Sequence, residues 1–315
     1  MINPREGIRA SRRAVRSIMV RDGNHDINAS RLIIGSGRSG TTWLQEVACE
    51  TGNLRCIFEP FNATEVKKFS DLPPGTYRHP KATDAFLKER VQGVLDGTFR
   101  SGWSDQLSRP ALLRRFEGRV IKDIRVLTWA GWIAEQFPAV PLVHVIRNPY
   151  AALSSARSLG WPARALDILT SQPELLRDHL QNCETLIASL RDDWEKSLLF
   201  WCVENVVAIR TLAYRSQYRV LSYEEVRSNP QLLQEMLEHL GLGPARDETI
   251  SRPSSMSRGT QAGGNKPRSA PGSLATERSE EILDSFGFGG FFDAEGNVDS
   301  RAIREKIQTG GFGCV

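Results

Sequence analysis

Gly35-Ser-Gly-Arg-Ser-Gly-Thr-Thr-Trp43 is the stretch of this chain whose residue types and spacing speak most directly of chemistry. Its glycines let the backbone curl so that several N–H groups face one point. The stretch follows an apolar run and opens a helical pattern. The helix N-terminus therefore adds partial positive charge, and the hydroxyls of Ser39, Thr41 and Thr42 add donors. Together these make an anion cradle suited to phosphate. Gly35, four residues and Gly40 match the spacing of the nucleotide-hydrolysing loop G-x-x-x-x-G-K-[ST], but Thr41 stands where that loop has lysine. Arg38 supplies the positive charge from inside the loop instead. The cradle is kept and the triphosphate chemistry is not expected. A small-molecule or nucleoside kinase with an atypical loop stays open as an alternative, as does a non-catalytic nucleotide-binding protein on the same fold.

Arg38-Ser39-Gly40-Thr41-Thr42-Trp43 resembles the 5′-phosphosulfate loop of the sulfotransferases that use 3′-phosphoadenosine-5′-phosphosulfate (PAPS) and release 3′-phosphoadenosine-5′-phosphate (PAP). Cytosolic members carry lysine at the position of Arg38; carbohydrate and tyrosylprotein members carry arginine. The resemblance implies a second motif for the 3′-phosphate, a strand ending in arginine with a serine eight residues later. The chain has Val143-His-Val-Ile-Arg147-Asn-Pro-Tyr-Ala-Ala-Leu-Ser-Ser155, which fits. Ser155 falls about two turns into the following helix, and Pro149 suits that helix's first turn. A guanidinium fork with a hydroxyl beside it is a natural phosphate ligand. Ile121-Lys122-Asp123 is similar to the Lys-Asp strand end of the tyrosylprotein group, and Leu221-Ser-Tyr223-Glu224 to the Tyr-Glu element after a late strand. The resemblance spans roughly residues 31–240, with its motifs in family order. Residues 251–275 stand where family members close over the nucleotide. The Arg-Lys-Gly signature of cytosolic members is missing there, and Arg258-Gly259 and Lys266 are the candidates in its place.

The reaction this resemblance implies moves a sulfonate from PAPS to an acceptor hydroxyl by in-line attack on sulfur. The protein must hold the donor, take the acceptor proton and stabilise charge on the leaving oxygen. Glu59, in Cys56-Ile-Phe-Glu59-Pro60, is the expected base. It follows a strand candidate and lies 21 residues after Arg38. Carbohydrate members have a similar Phe-Glu-Pro, and tyrosylprotein members a glutamate close to it. A partly desolvated carboxylate there is expected to have its pKa raised toward neutral. His79 and His25 lie in polar loops as weaker candidates, and His144, inside a strand, reads as a core residue. Arg38 and Lys122 are expected to stabilise charge. Lys122 ends a buried strand and needs an anionic partner, Asp123 being the nearest in sequence. Trp43 is expected to stack on adenine or to join the core. The expected catalytic set is Glu59, Lys122 and Arg38. The nucleotide set is Arg38, Ser39, Gly40, Thr41, Thr42, Trp43, Arg147, Ser155, Tyr223 and Arg258. No metal is required, since no γ-phosphate must be neutralised. Arg38 and Phe58-Glu59-Pro60 point to a carbohydrate or glycolipid acceptor, with tyrosylprotein and small-metabolite acceptors open beside it.

These residues need a scaffold, and the hydrophobic pattern supplies one. Apolar runs at 31–35, 54–58, 120–124, 140–146 and 218–222 read as strands. Helical spacing occupies 42–50, 84–95, the Trp129, Trp132, Ile133, Phe137 face, the segment after Pro149, 174–213 in two pieces, 230–240 and 277–286. Alternation of this kind predicts an α/β, P-loop-like three-layer fold, a central parallel sheet flanked by helices. The expected organisation is a basic arm over 1–28, the catalytic domain over 29–295 and a tail over 296–315. The arm carries six arginines against Glu6 and Asp22 in residues 1–22, with no apolar core behind them. That excludes a secretory signal and leaves a solvated basic tail, a transit peptide or contact with a membrane surface as its role.

Composition excludes the remaining classes. The chain has 315 residues, 40% apolar and 25% charged, ordinary for a globular protein. No apolar run reaches the ~18 residues of a membrane span. A net charge of +4 is too small to argue for nucleic acid. The five cysteines are odd in number and none stand at C-x-x-C spacing, which reads as reduced thiols in a cytoplasmic protein.

Overall fold

The computed structural model describes residues 19–20, 22–109, 115–163, 166–255, 273–293 and 298–313. Arg258, Gly259, Lys266 and the first eighteen residues of the basic arm lie outside them.

Five strands form one sheet: β1 (Ser30–Gly35), β2 (Leu54–Phe58), β3 (Gly118–Asp123), β4 (Leu142–Ile146) and β5 (Tyr218–Ser222), in the order β2-β3-β1-β4-β5. Every pairing is parallel. Parallel neighbours need crossovers, and the helices supply them. They are α1 (Thr41–Glu50), α2 (Ala85–Leu95), α3 (Ala130–Gln136), α4 (Pro149–Ser158), α5 (Pro173–His179), α6 (Asp193–Leu212), α7 (Tyr223–Ser228), α8 (Pro230–His239), α9 (Ser273–Ser285) and α10 (Ser300–Thr309). Single turns at Asp167–Thr170, Glu184–Ala188 and Asp247–Ser251 fill in between.

Period two along β1 explains the layers. Leu32 and Ile34 join Ile57 and Ile121 in a core with Leu87, Val91 and Val94 of α2 and Trp132 and Ile133 of α3. Ile33 faces the other way, with Val120, Val143 and Val145, against Trp43, Leu44 and Val47 of α1 and Leu233 and Leu237 of α8. A sheet buried on both faces needs such unbroken apolar strands. The third core centres on α6, which is buried on nearly every side, and on the Gly-aromatic stretch through Phe286, Phe288 and Phe292. Among the described residues no helix is long and apolar enough to cross a membrane.

Three expectations change. Residues 174–213 form α5, the Glu184–Ala188 turn and α6 rather than two pieces. The break before α6 is a capping site, since the Asp192 carboxylate accepts from the N–H groups of Trp194 and Glu195. Ser300–Thr309, in the span expected as a tail, is a helix that buries Ile303 and Ile307. Asp299 caps its start, and Arg304 pairs with Glu225 at 2.5 Å. The cysteines are not all reduced. Cys49 at the end of α1 and Cys56 on β2 form a disulfide, with Cα atoms 6.1 Å apart, and Cys183 is also disulfide-bonded. Cys202 is a buried free thiol. The tight α1-to-β2 return brings the first pair together although their spacing matches no cysteine motif.

β2 is an edge strand, and its outer side is covered rather than open. Phe58 N donates to Ser104 O at 2.8 Å, and Ser108 Oγ to Cys56 O at 2.8 Å. Arg55 reaches Asp105 and also Asp22, a residue inside the span expected as a free arm.

Candidate functional site

The C-terminal ends of β2, β3, β1 and β4 lie side by side. Phe58 pairs with Lys122, Ile34 with Asp123 and Gly35 with Val145. Parallel strands stand about 4.8 Å apart, so Glu59, Asp123, the Gly35–Gly40 loop and Arg147 form one row at the sheet's carboxyl edge. Open α/β sheets place their ligands along this edge, where the strand order reverses.

The loop has an unusual backbone. Ser39 N donates to Ser36 O at 3.2 Å, closing a turn with Arg38 at φ +69°. Gly40 follows at φ +82°, and a Cβ there would stand 2.1 Å from the Tyr223 ring. At Gly35 a Cβ would meet Val145 O at 2.6 Å. No larger residue fits either place. Among the described residues no side chain caps α1 at Gly40, which leaves the helix's first N–H groups to an anion.

Arg38, Ser155 and Arg147 converge on this loop. Arg38 Nε donates to Ser155 Oγ at 3.1 Å. Arg147 Nη1 donates to Arg38 O at 2.8 Å. The Arg147 guanidinium lies 4.9 Å from the Tyr223 ring centre, and its Nε is 3.8 Å from the Glu224 carboxylate. Burial, then the Arg147 charge, pulls the Arg38 pKa below its ordinary value, with Tyr223 opposing. Two cations held this close favour an anion between them. Among the described residues Ser39 Oγ and Arg147 Nε are buried without hydrogen-bond partners. Those orphaned donors, both beside the loop, fit a bound phosphate. Thr41 is buried and Thr42 half-buried at the start of α1.

Trp43 is buried, 5% exposed, with its ring edge-on to Tyr223 at 6.2 Å. Arg227 lies over it at 4.6 Å. It packs with the α1 core, the second of the two roles expected for it, and one face is already taken.

Glu59 departs most from expectation. It follows β2 at φ +41°, a left-handed conformation rare for any residue but glycine and costly by about 1–3 kcal/mol. Its N–H donates to Lys122 O at 2.7 Å. One carboxylate oxygen accepts from Lys122 Nζ at 2.6 Å and the other from Arg125 Nη1 at 2.7 Å. Burial pushes its pKa up, but the two cations and their hydrogen bonds outweigh that, so the net shift is downward. The expected rise toward neutral is therefore corrected. The partner of Lys122 is likewise Glu59 and not Asp123. Asp123 instead accepts from the N–H groups of Phe61 and Arg125, and burial raises its carboxyl to about 6.

Arg125 escaped the sequence reading. Its signal was a cation two residues beyond the Lys-Asp strand end, too common a feature to single out. The histidines fall away from the site. His25 Nδ1 lies 2.9 Å from Asp96 O, His79 Nδ1 accepts from Lys81 N at 3.2 Å, and His144 is fully buried as expected.

A model of the sulfotransferase family matches residues 32–246. No curated protein matches the chain. Among solved structures it is similar to the sulfotransferase domain from the curacin biosynthetic pathway, at 15% identity over 73% of this chain and 81% of that one, TM-score 0.41. It is similar also to the sulfotransferase domain of the Synechococcus PCC 7002 olefin synthase, at 13% over 84% and 95%, TM-score 0.42. A third is retinol dehydratase in a complex with retinol and PAP, at 17% over 70% and 62%, TM-score 0.29.

Proposed function

Because the chain belongs to the sulfotransferase family, we propose that it moves a sulfonate from PAPS to an acceptor hydroxyl, of the carbohydrate or glycolipid class. The observation that supports the donor is the meeting of Arg38, Ser155 and Arg147, which lie 109 and 117 residues apart in sequence and touch over one glycine-rich turn. Arg38, Ser39 and the α1 N-terminus would hold the 5′-phosphate side, and Arg147 with Ser155 the 3′-phosphate. PAPS supplies the activated sulfonate when bound. Glu59 would take the acceptor proton, and Lys122 and Arg38 would balance charge on the leaving oxygen. The acceptor class rests on Arg38 and Phe58-Glu59-Pro60 alone. Disulfides persist in oxidising compartments, so the two disulfide-bonded sites favour such a compartment over the cytoplasm.

Calorimetric titration with PAP, beside ATP plus Mg²⁺, tests the donor. PAP alone should bind. Preference for ATP would make the protein a kinase, and binding of neither would remove the nucleotide.

Two further results follow. Arg147→Ala should weaken PAP binding by about 1–3 kcal/mol, the loss of a charge-assisted contact. An unchanged dissociation constant would take the 3′-phosphate elsewhere. The pH profile is the second. Glu59 is a carboxylate with a depressed pKa, so it is ionised, and active as a base, at every pH above its ordinary 4.5. The stability drawn from its ion pairs is likewise present above the unfolded pKa and lost as pH falls through the folded one. The acid limb of kcat/KM should therefore lie below about pH 4.5. A limb near 6 would report Asp123 instead.

A further inference from the structure

A buried polar chain runs beneath the phosphate loop and takes no part in the reading above. It joins Tyr218 on β5, His144 on β4, Asn205 on α6 and Ser36 at the start of the loop. His144 Nδ1 lies 3.0 Å from the Tyr218 hydroxyl, and His144 Nε2 lies 3.0 Å from Asn205 Oδ1. Asn205 Nδ2 lies 3.0 Å from Ser36 Oγ. His144 and Asn205 are wholly buried, Ser36 is 3% exposed and Tyr218 5%.

The direction of each hydrogen follows from what the groups can do. Asn205 Nδ2 also lies 2.7 Å from Trp201 O, which only accepts. The amide nitrogen therefore faces Trp201 and Ser36, and Oδ1 faces His144. Because Oδ1 only accepts, His144 carries its hydrogen on Nε2. Its Nδ1 is bare and takes the Tyr218 hydroxyl hydrogen. Burial holds the imidazole down at about 4, so the ring stays neutral and the order persists. At the far end Ser36 Oγ accepts from Asn205, which leaves its own hydrogen to donate. Among the described residues that hydrogen has no acceptor. Ser36 O meanwhile closes the turn that carries Arg38.

An asparagine in the middle of α6, beside Val206 and Val207, is costly unless every polar atom is satisfied. Here it is satisfied only by spanning from the sheet to the loop. We infer that Asn205 is a positioning residue: it occupies a lone pair of Ser36 Oγ, so that the Ser36 hydroxyl is held ready to donate to the nucleotide's 5′-phosphate. A donor ordered in advance costs no reorganisation when the anion arrives. This inference rests on the reading of the loop as the 5′-phosphate site.

The test titrates PAP and adenosine 3′-phosphate, which lacks the 5′-phosphate, into wild type, Ser36→Ala, Asn205→Leu and the double variant. Each single change should weaken PAP about tenfold, as for one hydrogen bond to a charged group. Each should leave adenosine 3′-phosphate unaffected. The double variant should be no weaker than the worse single, because Asn205 acts through Ser36. Losses that add, or an Asn205→Leu protein that melts earlier yet binds PAP as wild type does, would overturn the positioning role. Ser36→Ala with unchanged PAP affinity would overturn the contact itself. Should Asn205→Leu fail to fold, Asn205→Asp replaces it. Its carboxylate only accepts, so Ser36 must turn its hydrogen inward. The loss beyond that of the added charge should then vanish in the Ser36→Ala background, and its persistence there would sink the idea. Wild type that binds neither nucleotide would remove the donor reading, and this inference with it. Wild type that binds PAP beside indifferent variants would remove the inference alone.

Discussion

Glu59→Gln should lower kcat by about 10²–10⁴-fold, the usual worth of a positioned general base, while PAP affinity stays near wild type. The affinity should hold because the phosphate contacts of Arg38, Arg147 and Ser155 lie at β1 and β4, and Glu59 lies at the end of β2. The amide keeps the shape of the carboxylate but not its charge. Lys122 and Arg125, which each face one carboxylate oxygen, then share a neutral partner. Removing one member of a buried ion pair is destabilising, so the melting temperature should fall as well. That fall must be separated from catalysis by measuring turnover well below the transition. Lys122→Met is the control: it removes one cation and leaves Glu59 with Arg125. If Glu59 serves only to hold Lys122, the two single variants and the double will have the same residual activity. If Glu59 is the base, the double variant will be slower than Lys122→Met alone. Full activity in Glu59→Gln would move the base elsewhere.

The same ion pairs shape how the base must work. A carboxylate between two cations is ionised at neutral pH but is a weak base, since proton transfer has little driving force. Lys122 is the one of the two that lies deeper, with 3% of its side chain exposed and its ammonium 4.4 Å from the Phe58 ring centre. An anion bound at the sheet edge would compete with Glu59 for that ammonium. Any weakening of the Lys122 contact raises the Glu59 pKa and with it the basicity. Glu59 thus requires no raised pKa in the free protein.

How much of this was legible beforehand depends on whether the information was local. The five strands are apolar runs of β-branched and aliphatic residues, and each was placed in sequence to within about two residues. The loop was legible because close packing leaves a glycine pattern: at Gly35 and Gly40 a Cβ has no room, and Gly40 also stands at φ +82°. The placing of Arg147 at a strand end and Ser155 on the next helix was legible through the resemblance, because one strand-helix unit carries both. The Lys122–Glu59 pair spans 63 residues and was not. It exists because β2 and β3 pair in a register that sets Phe58 beside Lys122. The sequence proposed Asp123 for Lys122 by proximity, but neighbouring strand residues point to opposite faces. The sign of the Glu59 shift was lost with it. Burial alone raises a carboxyl, and only the partners, one of them the unsuspected Arg125, reverse that. The helix at Ser300–Thr309 was missed because two apolar positions, Ile303 and Ile307, make a thin signal. The Cys49–Cys56 disulfide was missed because parity says nothing of distance.

Arg55→Met should destabilise the fold by about 3–5 kcal/mol, the cost of leaving buried charges unpaired. Arg55 is wholly buried on β2, and its guanidinium is fully used. Nε reaches Asp105 at 2.9 Å, Nη1 reaches Asp22 at 2.6 Å and Gly97 O at 3.0 Å, and Nη2 reaches Phe99 O at 2.6 Å. Both carboxylate side chains are also wholly buried. Methionine fills much of the volume but meets none of these acceptors. Arg100 and Arg119 remain near Asp22, at 3.5 and 3.8 Å, and compensate part of its loss. Asp105, whose pKa burial already raises, has less help and should take up a proton. A route to the site exists, because Arg55 ties the outer side of an edge strand to the segment from Gly97 to Asp105 and Glu59 follows four residues on. Denaturant unfolding with turnover measured on the folded protein distinguishes the outcomes. A lowered midpoint with normal kcat per folded molecule is the expected result, since the cluster holds β2 without touching the loop. A lowered kcat in fully folded protein would mean that β2 had shifted and taken Glu59 with it. An unchanged midpoint would show that desolvation of the three charges cancels their attraction.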